Sequence, residues 1–190
     1  VYCRVGYLQA ALEVSRASDQ TWRFENLKEW NMTVQVGDKV PAATMKLMGE
    51  KGPQDLTTDE LFAGKKVVLF ALPGAFTPTC SAAHLPGFVA NADKIKAKGV
   101  DTIACVSVND AFVMSAWGED KNAEEIVMAA DGNGEFTKAM GLEMDGSAFG
   151  LGTRSQRYSM LVDDGVIKAL NVESGPTFEV SSAEKILEAL

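Results

Sequence analysis

The stretch "LPGAFTPTC" ends on a cysteine set beside a Thr-Pro step, and the chemistry open to that sulfur depends on where the step places it. Proline is favoured at the first position of a helix because its missing N–H would find no intrahelical partner there, and threonine is an acceptable N-cap before it. In that register Thr77 is the cap, Pro78 opens the helix and Cys80 falls in the first turn. Unpaired N–H groups and the positive end of the helix dipole favour an anion there. An ordinary thiol, with a pKa near ~8.5, is roughly 3% thiolate at neutral pH. Making the thiolate the major species takes a drop of about two units, or about 2.7 kcal/mol, and the dipole supplies only roughly 0.3–1 kcal/mol. A cation has to contribute the rest, and a guanidinium suits the task. Without one, Cys80 reads as a small buried hydrophobe at a capped helix.

His84 is the single histidine and lies four residues beyond Cys80, so a helix would bring both to one face. Pro86 disturbs that helix and no orienting carboxylate accompanies the ring, which favours a packed or hydrogen-bonded imidazole over a general base. Three cysteines, Cys3, Cys80 and Cys105, make an odd number without a C-x-x-C pair, against both a disulfide framework and a zinc ribbon. With one histidine there is no His-rich metal site, so neither metal nor other cofactor is expected. The cysteine usage indicates a reducing, cytoplasmic setting. A net charge of −8 argues against broad contact with nucleic acid or an anionic membrane, and no apolar run approaches a bilayer span.

The chain has the length for one domain with a substantial core. Residues 1–31 read as a loosely attached helical extension or a scar of cloning, with a docking element carrying Trp22, Phe24 and Trp30 as the alternative, and Met32 opens the compact domain, 32–190. "GKKVVLFAL" (64–72) and "VDTIACVSV" (100–108) are continuous apolar runs of the kind found in strands buried on both faces. The stretch between them predicts a helix from Pro78 to about Lys98, stopped by Gly99, which makes a parallel crossover unit. Asn109 or Asp110 caps a next helix with Phe112, Val113, Ala116 and Trp117 on one side. A strand over 125–131, a short helix ended by Gly141, a hairpin over 158–172 turning at Asp164-Gly165, and a terminal helix with Ile186, Leu187 and Leu190 inward complete the pattern. The sum is an α/β domain with a central mixed sheet flanked by helices, compatible with a thioredoxin-like fold.

"PGAFTPTCSAAHLPGF" resembles the active-site loop of the peroxiredoxins, whose Pro-x-x-x-Thr-x-x-Cys motif falls on Pro73, Thr77 and Cys80. The His-Leu-Pro-Gly continuation is similar to the type 5 (type II) subfamily, and "SVNDAFVMSAWG", "LGTRSQRYSMLVDDG" and "ALNVE" extend the likeness over most of residues 33–190. The resemblance implies a thiol peroxidase of thioredoxin fold in which Cys80 attacks the O–O bond of hydrogen peroxide or an alkyl hydroperoxide and becomes a sulfenic acid. Thr77 would hydrogen-bond to the thiolate and peroxide, Pro73 would shield the site from water, and Arg157 would stabilise the thiolate and the developing charge. Arg154 reads as a surface or loop residue. Cys105 stands where bacterial and plant members often carry a resolving cysteine, although a buried packing cysteine with reduction by an external thiol is the alternative. Glutaredoxin with glutathione, or thioredoxin, would be the reductant. The family also implies a homodimer, with Phe76, Phe112 and Trp117 as interface or core residues. A non-enzymatic redox sensor or chaperone-like protein using Cys80 as a switch is the competing reading.

Overall fold

The computed structural model describes residues 33–190, so the expectations for segment 1–31, Cys3 included, lie outside the described residues. In chain order the elements are β1 (Thr44–Gly49), β2 (Gly52–Thr57), α1 (Thr58–Phe62), β3 (Lys66–Ala71), α2 (Leu85–Lys96), β4 (Thr102–Ser107), α3 (Ala111–Asp120), β5 (Ile126–Ala130), α4 (Glu135–Ala139), β6 (Glu143–Asp145), β7 (Thr153–Ser155), β8 (Tyr158–Asp163), β9 (Val166–Val172) and α5 (Ala183–Glu188). Seven of the strands form one mixed sheet in the order β2-β1-β5-β4-β3-β8-β9. β3, β4 and β5 run parallel, while β1, β8 and β9 join antiparallel.

The two apolar runs sit at the centre of this sheet because both of its faces are covered. Val68 and Phe70 of β3 and Ile103 and Cys105 of β4 join a core with Phe88 and Ile95 of α2, Trp117 of α3 and Ile186 of α5. The alternate residues Val67, Leu69, Ala104 and Val106 join a second core with Phe62 of α1 and Phe136 of α4. Two-sided burial removes the polar alternation of a half-exposed strand, and each large side chain taken out of water contributes roughly 1.5–3 kcal/mol. The β8–β9 hairpin turns at Asp164 and Gly165, both at positive φ (46° and 74°), as the Asp-Gly pair demands.

Three local expectations change. The disturbance expected at Pro86 in the helix from Pro78 takes the form of a π-helical turn over Cys80–His84 before α2 begins. Pro86 explains it: an α-helical register would need a donor that proline lacks and would press its ring on the carbonyl of Ala82, and the wider turn has Leu85 N–H reach the Cys80 carbonyl instead. In α3 the cap is Asp110, whose carboxylate accepts from Val113 N–H. That start turns Ala111, Met114, Trp117 and Gly118 inward and leaves Phe112 exposed, one position round from the expected face. The sequence reading assigned no element to the β1–β2 hairpin, where Pro53 argues against a strand; β2 is the sheet edge, the place where proline is tolerated.

Asp110→Ala removes the α3 cap and is expected to cost about 1 kcal/mol, seen as a lower urea midpoint with an unchanged slope. An unchanged midpoint would show that the start of α3 is held by other contacts.

Candidate active site

Beyond β3 the chain turns sharply, and each bond of the turn has an identifiable donor. Thr77 donates from both its N–H (3.4 Å) and its hydroxyl (2.8 Å) to the Gly74 carbonyl. Ala75 N–H donates to Asn109 Oδ1 at 3.0 Å, and the Ser107 hydroxyl donates to the same oxygen at 2.8 Å, so the end of β4 anchors the loop. Phe76 adopts φ of +62°, a strained conformation for a bulky residue, and its ring is exposed. Gly74 is confined: a Cβ there would lie 3.2 Å from Thr77 Cγ2 and 3.4 Å from Arg154 Nη1.

Thr77 takes the expected place but not the expected bond. Its carbonyl accepts from Ser81 N–H at 3.0 Å, as an N-cap carbonyl does, while its hydroxyl is spent on Gly74 rather than on capping the helix. A hydroxyl has one proton and two lone pairs, so this one keeps acceptor capacity. Trp117 lies wholly in the core and steadies the turn from α3 by donating Nε1–H to Ser81 Oγ at 3.0 Å.

Cys80 is fully buried, and Arg157, the residue before β8, meets it from the other side. Arg157 Nη2 donates to Cys80 Sγ at 3.3 Å, and Nη1 donates to His84 Nδ1 at 2.9 Å. His84 Nε2 lies 3.1 Å from the Ser181 carbonyl, which can only accept, so the proton is on Nε2 and the ring is neutral. Burial, then the Arg157 charge, push the His84 pKa down to about 3. The rings of Phe70, Phe88 and Phe178 surround the imidazole at centroid distances of 5.0, 5.6 and 5.0 Å, and the guanidinium carbon stands 5.8 Å from the Phe178 centroid. Among the described residues no carboxylate forms an ion pair with Arg157.

The structure thus brings Thr77, Cys80 and Arg157 to one site, with half-buried Pro73 at the head of the same loop. Cys105 belongs to the same core cluster but comes from β4, where it pairs with Phe70 and Met128. Burial, then the neighbouring Cys80, push its thiol well above the usual range. Arg154 is not a simple surface residue: half-buried, it donates to the Leu151 and Val108 carbonyls and so ties β7 to the loop after β4. Sequence reasoning gave no role in this site to Glu173, Phe178 or Ser181. Glu173 lay within the matched stretch "ALNVE", the one signal that could have drawn attention to it. The apolar groove of about 340 Å³ lined by Met48, Gly118 and Met128 shares no residue with this site.

Residues 35–187 match the Redoxin family. The chain is 54% identical over 164 residues to peroxiredoxin-2E-2, chloroplastic, of Oryza sativa subsp. japonica, a match spanning 83% of this chain and 73% of that protein. It is 50% identical to peroxiredoxin-2B of Arabidopsis thaliana, over 83% of this chain and 98% of the relative. The chain belongs to the peroxiredoxin family. Reduced Prx3 from Vibrio vulnificus in complex with H2O2 superposes with a TM-score of 0.80 at 61% identity, covering 83% of this chain and 99% of that one. The thioredoxin-like fold expected from the sequence is therefore present, and the protein is a thiol peroxidase that takes a peroxide substrate and a thiol reductant. The competing reading as a non-enzymatic sensor gives way on this point.

The peroxiredoxin's buried polar chain has a defined acid response. His84 falls from 6.5 to about 3 on folding. Burial alone would raise the Glu173 carboxyl, but hydrogen bonds, led by the Ser181 and Glu179 amides, outweigh it and take the group from 4.5 down to about 2. Both groups bind fewer protons folded than unfolded, so the stability they contribute is complete above about pH 6.5 and is lost as pH falls towards 2. Thermal melts across this window should show the loss, with a shallower slope between pH 6.5 and 3 in His84→Gln. Parallel slopes in the two proteins would contradict the assignment.

Proposed function

We propose that Cys80 is the peroxidatic nucleophile and that Arg157 keeps it as a thiolate. The observation that carries this reading is the 3.3 Å bond from Arg157 Nη2 to Cys80 Sγ inside a buried site where the guanidinium has no carboxylate partner among the described residues. A buried charge needs an opposite charge, and the sulfur is the group in contact that can supply one. The helix start adds its dipole, and no proton transfer from a base is required: His84, held neutral with its Nε2–H donated to the Ser181 carbonyl, serves the guanidinium instead.

In the reaction the thiolate attacks one peroxide oxygen, the S–O bond forms as the O–O bond breaks, and the departing oxygen takes a proton to leave as water or an alcohol. Cys80 becomes a sulfenic acid. Arg157 stabilises the charge passing from sulfur to the leaving oxygen. Thr77, its own proton committed to Gly74, accepts a hydrogen bond from the peroxide O–H and orients it. Pro73 limits water at the loop. A thiol then condenses with the sulfenic acid, releasing water and leaving a mixed disulfide, and a second thiol regenerates Cys80 as a disulfide departs.

The resolving thiol in this reading comes from outside the chain, from glutathione with glutaredoxin or from thioredoxin. Cys105 is wholly buried in a central strand with its thiol held protonated, and pairing it with Cys80 would require the π-helical turn to unwind. Exposed Phe76 and Phe112 near the loop fit a homodimer contact, and two free cysteines among the described residues fit a reducing compartment such as the cytoplasm. No helix among the described residues is long and apolar enough to cross a membrane.

Peroxide consumption with a thiol donor should vanish in Cys80→Ser, and equal turnover in both proteins would reject the assignment. Cys105→Ser should keep turnover with glutathione and glutaredoxin within about twofold of the parent. Mass spectrometry after one equivalent of peroxide should show sulfenic acid at Cys80; a Cys80–Cys105 bridge with lost turnover in Cys105→Ser would assign the resolving role to Cys105.

A further inference from the structure

Arg157 can aim at the sulfur only if its other donors are held, and the chain of contacts behind it ends at one carboxylate. Arg157 Nη1 donates to His84 Nδ1, and His84 Nε2–H donates to the Ser181 carbonyl. Ser181 is itself fixed by Glu173: its N–H and its hydroxyl both donate to Glu173 Oε1 at 2.8 Å. The N–H groups of Glu179 and Val180 reach the same oxygen at 2.8 Å, and the Thr177 hydroxyl donates to Oε2 at 3.0 Å. Four donors thus converge on one buried oxygen and wrap the 174–181 loop around it. The backbone closes the circuit, because Glu173 N–H donates to the Arg157 carbonyl at 2.9 Å. The same loop sets Phe178 against both His84 and Arg157.

The arrangement solves an electrostatic conflict. A carboxylate in direct contact with Arg157 would fix the guanidinium well, but it would cancel the charge that the sulfur needs. Here the carboxylate is saturated by loop donors, and a neutral imidazole and a carbonyl stand between it and the guanidinium. Orientation is passed along while the arginine's charge remains available to Cys80.

We propose that Glu173 is a positioning residue for the reaction at Cys80: by folding the 174–181 loop it fixes the Ser181 carbonyl, through it His84, and so directs Arg157 at the sulfur. The proposal rests on Cys80 and Arg157 being the reacting pair.

The two ways in which Glu173 could act have opposite signs. Acting through its charge alone, its removal would favour the Cys80 thiolate, since a nearby negative charge disfavours a second one. Acting through position, its removal loosens Arg157 and disfavours the thiolate. The charged groups that face Cys80 from the packed elements are Arg157 at the start of β8 and, in its ionised form only, Cys105 of β4; His84 is neutral.

The test is the pH dependence of alkylation at Cys80, read by mass spectrometry on the full chain, in the parent and in Glu173→Gln, each with Arg157 intact and with Arg157→Gln. Glu173→Gln should move the thiolate midpoint up by about half a unit, lowering the thiolate fraction below the midpoint about threefold, with a matching loss of kcat/KM for hydrogen peroxide. In the Arg157→Gln background the shift should disappear. A midpoint that falls, stays in place, or moves equally in both backgrounds would overturn the proposal. Arg157→Gln failing to move the midpoint on its own would refute the reacting pair instead. Should Glu173→Gln fail to fold, Ser181→Ala, which removes one of the four donors, carries the test with a smaller upward shift, and no shift there would count against it.

Discussion

The Arg157 guanidinium is buried beside Cys80 without a carboxylate to balance it among the described residues, and much of the structure around it can be understood from that imbalance. A permanent cation removed from water is tolerated only when its donors are satisfied and its charge is answered. Its donors go to a sulfur, to the lone pair of a neutral imidazole and over an aromatic face. Only the first of these can become an anion here. The burial of Cys80, which taken alone would mark an inert thiol, is therefore compatible with reactivity: a low-dielectric setting strengthens the attraction between guanidinium and thiolate as it penalises either charge alone.

Each side of the pair is placed by a different part of the fold. The central position of β3 brings the loop 73–77 to one end of the sheet, and Asn109, beyond β4, pins that loop through the Ala75 amide. Pro86 widens the helix over Cys80–His84, which puts a π-helical turn, a feature common at functional sites, at Cys80. β8 runs antiparallel to β3, with Tyr158 opposite Ala71, and this register delivers Arg157 to the end of the sheet where the loop begins. The segment 173–181, which follows β9, meets the arginine through the Glu173 amide and the Phe178 ring.

Much of this was legible in the residues. The Thr77-Pro78 step located the start of the helix, the two apolar runs located the central strands, and Asp164-Gly165 located the hairpin that carries Arg157. Helix-end logic also showed that the dipole falls short and a cation is required, but the pairing of Arg157 with Cys80, residues far apart in sequence, came from family resemblance. What stayed hidden has physical causes. The π-helical turn depends on how the chain relieves the clash at Pro86, which periodicity does not encode. Phe112 was grouped with Trp117 because the apolar residues at 112, 113, 116 and 117 share helical spacing, whereas the buried stripe runs through the small residues Ala111 and Gly118 with Met114 and Trp117. Glu173 resembles any charged residue following a strand, and its convergence of loop donors exists only in three dimensions.

The central claim, that the charge and direction of Arg157 make Cys80 a thiolate at neutral pH, is tested most directly by comparing the pH profile of Cys80 alkylation in the parent protein and in Arg157→Gln. The account predicts that alkylation of the parent persists well below neutral pH and that the variant's midpoint moves back towards that of an ordinary thiol. Superimposable profiles would contradict it.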